Sequence, residues 1–203
     1  MATLRQRQKQ LTRETLLREA LQLFGESRYH STTIDEIAVA AGTTRATFYL
    51  HFSSKTELMR ALIAEADRIL TAVDEPPLRD VVASGERELI REYIGHKFDQ
   101  WQVIKPYVMV AHQAWSSDPE VADIMESWFS SVAQDIRDGL DLAGRFAPET
   151  RQIRGMLAFG QLEYLSRRWF RLGWVVPREI CHEQLTDSWC HLLVSGEDPR
   201  PGS

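Results

Sequence analysis

Arg45, Thr47, Tyr49 and His51 alternate with apolar neighbours between Thr44 and Phe52. A guanidinium, a hydroxyl, a phenol and an imidazole in so short a run are groups suited to base edges and phosphate oxygens. The sequence offers no bond-breaking set to compete with that reading. There is no Gly-rich phosphate loop, no G-x-S-x-G and no H-E-x-x-H. A di-iron carboxylate bundle needs two Glu-x-x-His motifs and two further Glu. The chain has one such motif, Glu179-Ile180-Cys181-His182, and its remaining candidates His96, His112 and His191 are scattered. No catalytic residue, metal or cofactor is expected, and the chain is not expected to be an enzyme.

Short helices must position these polar groups. Ile34, Ile37, Ala38 and Ala41 recur at i, i+3, i+4 and i+7, the spacing of one buried helix face. Thr33 and Glu36 form a capping box before it, and Gly42 supplies a residue able to take positive φ at its end. Thr44 is a second N-cap candidate. Phe48 and Phe52 then fall on one face, leaving Arg45, Thr47, Tyr49 and His51 to point elsewhere. Ser54 and Glu57 form another capping box, opening a further helix at Lys55. Two short helices around a Gly turn, the second carrying basic and hydrogen-bonding groups at its start, read as a helix-turn-helix. The second helix would enter a DNA major groove. The same pattern also suits an ordinary helical hairpin.

The runs Thr33–Ala38, Ala41–Phe52 and Ser54–Leu58 resemble the DNA-binding signature of the TetR family of bacterial transcriptional regulators, over roughly Leu17 to Ile63. Thr43 stands where that family usually has an aliphatic residue, and Leu50 where it often has His. The resemblance implies an N-terminal helix-turn-helix domain, a larger helical domain with a small-molecule pocket, and a homodimer. With it, Arg45 becomes the expected reader of guanine and Thr47 a second base contact. Ala46 would permit close approach, and Thr33, Thr44, Tyr49, His51 and Lys55 would hold phosphates. The partners so implied are a double-stranded, near-palindromic DNA operator, an unknown small-molecule effector and a second copy of the chain. The activity so implied is ligand-responsive transcriptional regulation, with repression the expected mode. The competing reading is a helical small-molecule-binding or enzymatic bundle whose helix-turn-helix is incidental.

The 203 residues suffice for one large or two small domains, and 43% hydrophobic with 26% charged residues is ordinary for a globular chain. No run approaches the roughly 18 apolar residues of a membrane span. The charged start MATLRQRQKQ lacks an apolar signal segment, so a cytoplasmic location with no membrane partner is expected. The net charge of −5 is unevenly spread. Residues 1–60 hold nine Lys/Arg against six acids, net +3, leaving fifteen against twenty-three, net −8, for the rest. The basic end is the one that attracts phosphates. Cys181 and Cys190 lie nine residues apart, nearly opposite on one helix, so two unbridged thiols are expected.

The pattern predicts an all-α chain. Arg5, Arg7 and Lys9 are expected in a frayed basic arm, and a first helix from Thr12 to about Ser27 buries Leu17, Ala20, Leu21 and Phe24. The arm and helix-turn-helix domain span 1–54. A connecting helix occupies 55–75, with Leu58, Leu62, Ala66, Ile69 and Val73 as its stripe. Asp74-Glu75-Pro76-Pro77 then breaks it. A helical ligand-binding and dimerisation domain spans 76–196, and 197–203 reads as a disordered tail. Within 76–196, helices are expected near 82–102, 106–116, 119–142, 148–172 and 177–195, the last four each opened by Pro. Phe98, Trp101, Tyr107, Met109, Trp115, Met125, Trp128 and Phe129 are candidates to line an apolar cavity; all but Tyr107 are assigned to the ligand site. The last two helices look apolar on more than one side. Phe159, Leu162, Leu165, Trp169, Leu185, Trp189 and Leu192 are therefore the expected two-fold interface.

Overall fold

The computed structural model describes residues 3–195; the tail expected over 197–203 lies outside them. The described residues are helical with no strand: α1 Leu4–Ser27, α2 Ile34–Ala40, α3 Arg45–Tyr49, α4 Lys55–Thr71, α5 Leu78–Ser84, α6 Arg87–Trp115, α7 Pro119–Ala143, α8 Pro148–Leu172 and α9 Arg178–Cys190. A π-helical turn, His191–Ser195, follows. None of these helices is long and apolar enough to cross a membrane. The chain divides into two compact units, Met1–Arg68 with Ile104–Glu126, and Ile69–Val103 with Ser127–Ser203. Compactness thus groups residues 104–126 with the N-terminal segment, whereas a division in chain order at residue 76 leaves them with the C-terminal part.

In the first unit the helices start and stop where local chemistry dictates. The box at Thr33 forms: the Glu36 N–H donates to Thr33 Oγ1 at 3.2 Å, and Glu36 Oε2 accepts from the Thr33 N–H at 2.7 Å. Gly42 takes φ +65° between α2 and α3, and Thr44 Oγ1 accepts from the Thr47 N–H at 3.2 Å. Ser54 Oγ accepts from the Glu57 N–H at 3.0 Å, while Glu57 reaches back to the Ser53 N–H. Ile37, Ala38, Phe48, Phe52, Leu58, Met59 and Leu62 close the core against α1.

Helix α1 corrects two expectations. It begins at Leu4 rather than near Thr12, because Thr3 and Gln6 form a capping box of their own. Arg5, Arg7 and Lys9 therefore ride on helical turns instead of a loose arm, and Thr12 is mid-helix, its hydroxyl donating back to Gln8 O. The buried stripe is Leu16, Ala20 and Phe24, with Leu17 and Leu21 half-buried at its edge.

In the second unit the sequence missed α5, which ends at Gly85 in the left-handed region, φ +69°. Arg145 binds the free carbonyls there, donating to Val82 O at 2.8 Å and Ala83 O at 2.6 Å. Helix α6 runs through Pro106 without a break. A mid-helix Pro costs about 3 kcal/mol; the buried side chains of Ile104, Val110, Ala111 and Ala114 on either side offset it. Lys97 on α6 donates to both oxygens of Asp74, at 2.6 and 2.8 Å, and to Leu70 O at the end of α4. Gln100 donates to Ile69 O at 2.8 Å. The stripe expected on α4 accordingly ends early: Ile69 is half-buried and Val73 lies exposed beyond the last turn.

Candidate nucleic-acid interface

The turn between α2 and α3 sets the geometry. The Thr43 N–H donates to Ala38 O at 2.9 Å, and the buried rings of Phe48 and Phe52 lie 5.8 Å apart. With that face committed to the core, Arg45, Ala46 and Tyr49 are exposed, as are Thr33 and Thr44 at the two helix starts. Thr47 is half-buried, its hydroxyl 3.1 Å from that of Thr44.

Arg45 does not hang free. Its Nη1 donates to Asp35 Oδ2 at 2.7 Å and its Nη2 to the Tyr49 hydroxyl at 3.4 Å, while Cζ sits 5.7 Å from the Tyr49 ring centre. The hydrogen bond to Asp35, then its charge, raises the guanidinium above its ordinary pKa. Asp35 was not among the expected site residues. Its sequence signal was an acid in the first turn of α2, ten positions before Arg45.

Two of the expected phosphate contacts are placed differently. Lys55 is half-buried, and its ammonium donates to Tyr29 O at 2.8 Å and Thr32 O at 3.0 Å, with the Tyr29 ring 4.4 Å away. Here it closes the α1–α2 loop. His51 is half-buried too, and its Nδ1 has no hydrogen-bond partner. Burial first, then the charges of Lys9 and Arg13, push the imidazole below its usual pKa, favouring the neutral form.

A second cluster in the same unit was invisible in the sequence. Asp118, between α6 and α7, accepts from the Tyr29 hydroxyl at 2.7 Å and from Thr56 Oγ1 at 3.0 Å. Its other oxygen caps α7, accepting from the N–H groups of Glu120 and Val121 at 3.0 and 3.4 Å. Burial holds the Tyr29 phenol protonated far above its ordinary pKa.

The residues expected to share one ligand site are drawn from both units. Phe98 and Trp101 are buried in the second unit, their rings 4.4 Å apart. Trp174 lies 5.1 and 5.3 Å from them, and Trp169 5.6 Å from Trp101. Trp128 and Phe129 pack with Phe159, at 5.9 and 5.7 Å. Met109, Trp115 and Met125 belong to the first unit, where the Trp115 ring stacks on His112.

The residues expected at the two-fold interface differ in their burial within the protomer. Leu162, Leu185 and Trp189 are buried within the protomer, and the Trp189 indole donates to Ala158 O at 3.0 Å. Phe159, Leu165, Trp169 and Leu192 are half-buried. The outward apolar groups of α8 are Ile153, Met156, Leu157 and Tyr164, which share with Gly160 the spacing of a single helical stripe. Cys181 and Cys190 are free, as expected. Among the described residues no three His, Cys, Asp or Glu side chains gather as metal ligands.

Residues 16–62 match the family model described as bacterial regulatory proteins, tetR family. The transcriptional regulator TcmR of Streptomyces glaucescens is 42% identical over 72 residues, 36% of this chain and 32% of that protein. The probable acrEF/envCD operon repressor of Escherichia coli K12 is 30% identical over 104 residues, 50% of this chain and 40% of that one. The chain thus spans about a third of the length of the curated relatives it matches. Among solved structures, a SmeT–triclosan complex superposes with a TM-score of 0.68 at 17% identity, covering 95% of this chain and 99% of that one. That likeness is one of fold.

Proposed function

We propose that the chain, whose residues 16–62 match the tetR family of bacterial regulatory proteins, is a ligand-responsive transcriptional repressor of that family acting as a homodimer on a near-palindromic operator. The observation that carries this reading is the outward presentation of Arg45, Ala46 and Tyr49 on a helix whose opposite side is sealed by Phe48 and Phe52. Two copies of α3, about 34–36 Å apart, enter successive major grooves. Arg45 donates a bidentate pair to guanine, Thr47 reaches a neighbouring base, and Ala46 lets the backbone come close. Thr33, Thr44 and Tyr49 hold phosphates at the helix starts. His51 contributes as a neutral donor or acceptor.

The second copy docks on the stripe Ile153, Met156, Leu157, Gly160 and Tyr164. A continuous apolar stripe is a costly surface to leave in water, and a two-fold related stripe is its natural cover. The effector is small and largely apolar, and it enters by parting the aromatic groups of the C-terminal half, Phe98, Trp101, Trp169 and Trp174 foremost. A protein of this fold is described in complex with triclosan, an apolar aromatic molecule. Effector binding must favour a form whose reading helices are wrongly spaced for DNA. The route runs through α4 and through Asp118, since a shift of the α6–α7 turn is felt directly at Tyr29 and Thr56.

Selection of bound DNA from a random pool tests this function. An enriched site with two inverted half-sites supports it. Recovery of unenriched DNA at low salt, or none, overturns it.

A further inference from the structure

Resting on the DNA-reading role of α3, we propose that Asp35 is a specificity-determining positioning residue: its carboxylate sets the direction and plane of the Arg45 guanidinium before DNA arrives. A lone ion pair would leave that group free to swing. Here it is held on two sides, by Asp35 on α2 at 2.7 Å and by the Tyr49 hydroxyl one turn along α3 at 3.4 Å. Both supports are themselves fixed. The Thr33–Glu36 capping box anchors the turn that carries Asp35. The α2–α3 turn is closed by the Thr43 N–H on Ala38 O, and Phe48, beside Tyr49, is buried.

The arrangement leaves Arg45 competent to read. A guanidinium has five N–H donors. One goes to Asp35 and one to Tyr49, so the Nε–H and one N–H on each Nη remain. A bidentate contact to guanine O6 and N7 needs two. The side chains of Arg45 and Asp35 stay 57% and 60% exposed, so an incoming base edge can reach the group.

The carboxylate also explains a discrimination. An unrestrained Arg at the start of a reading helix finds a phosphate oxygen on any sequence, since phosphates are everywhere along the duplex. A carboxylate on the same surface is repelled by phosphates and neutralises the Arg, so non-specific attraction falls. What survives is the contact that hydrogen-bond geometry rewards. Asp35 thus gives up general affinity in exchange for sequence preference.

The test measures the full chain against the operator recovered by selection, every single-base variant of one half-site, and random DNA, at several salt concentrations. Wild type is compared with Asp35→Asn, Asp35→Glu, Arg45→Ala and the Asp35→Asn/Arg45→Ala double variant. Exposed ion pairs contribute little to folding, so these variants should melt close to wild type. Asp35→Asn should tighten binding to random DNA and steepen its salt dependence. It should also reduce preference several-fold at the one base pair that Arg45→Ala relaxes, leaving the other positions unchanged. Asp35→Glu should restore part of that preference, and the double variant should lose no more there than Arg45→Ala alone. The proposal is overturned if Arg45→Ala relaxes one position while Asp35→Asn leaves it intact, or if Asp35→Asn flattens all positions equally. A wild-type protein that selects no sequence refutes the DNA-reading role itself, and Asp35 then has nothing to position. That outcome is visible before any variant is made.

Discussion

Tyr29→Phe removes one oxygen and tests the link between the α1–α2 loop and the α6–α7 turn. The ring is 3% exposed and its hydroxyl donates to Asp118 Oδ2 at 2.7 Å. A hydrogen bond to a charged group contributes roughly 1.5–3 kcal/mol. Two features put this one at the lower end. Asp118 keeps Thr56 Oγ1 and the N–H groups of Glu120 and Val121, so its charge is not stranded. The Phe ring also keeps the edge contact with Phe24, 5.1 Å between centres, and the face offered to the Lys55 ammonium. The expected loss is about 1.5 kcal/mol, or roughly 3–6 °C in melting temperature for a chain of this size. Urea and thermal melts followed by circular dichroism measure it, in a double-mutant cycle with Asp118→Ala. In the Asp118→Ala background Tyr29→Phe should cost almost nothing more. The acid limb adds a sign. Burial pushes the Asp118 carboxyl up, but its donors outweigh that and hold it below its ordinary value. A carboxyl depressed on folding stabilises above its unfolded pKa and loses that contribution as pH falls through the lower folded value. The deficit of Tyr29→Phe should therefore be constant at neutral pH and shrink below about pH 4. A full-sized cost of Tyr29→Phe with Asp118 already removed would refute the reasoning.

Further substitutions separate structural from functional roles. Asp74→Ala leaves the buried Lys97 ammonium without its carboxylate and should cost about 3–5 kcal/mol in urea unfolding; the Lys97→Met/Asp74→Leu pair should recover much of that. Lys55→Ala should lower the melting temperature, because the loop carbonyls of Tyr29 and Thr32 lose their donor. The salt dependence of DNA binding should stay as in wild type; a loss of slope instead would return Lys55 to the phosphate contacts. Met156→Glu with Leu157→Glu should convert dimer to monomer in sedimentation and weaken operator binding. By contrast Trp189→Ala, which opens a cavity in the core, should cost about 3–5 kcal/mol of folding stability. Unchanged association of the α8 variant would remove that stripe as the interface.

The parts legible in the sequence are those fixed within four residues of themselves. The boxes at Thr33 and Ser54, the Gly42 turn, the Thr44 cap and the Phe48–Phe52 pair all form as their spacing required. Long-range choices were not legible. Nothing local tells Lys55 to turn toward carbonyls 23 to 26 positions earlier, or joins Tyr29 to Asp118 across 89 residues. Pro106 read as a helix start because the rule for Pro is local, while the packing that keeps α6 continuous is not. On α8 and α9, apolar residues on several sides left the inward face undefined. Only the tertiary arrangement places Leu162, Leu185 and Trp189 inside and Met156, Leu157 and Tyr164 outside. The Asp35–Arg45 pair was missed for the same reason, since it crosses the turn between two helices.

The most direct measurement is a disulfide cross-link at the reading helix. Ala46 is exposed on α3, so an Ala46→Cys protein can be offered the selected operator with thiol-tethered bases at successive major-groove positions. We expect capture at two positions related by the operator's two-fold axis and separated by about one helical turn. Capture at a single position, or equal capture at every position tried, would contradict the claim that paired α3 helices read the duplex.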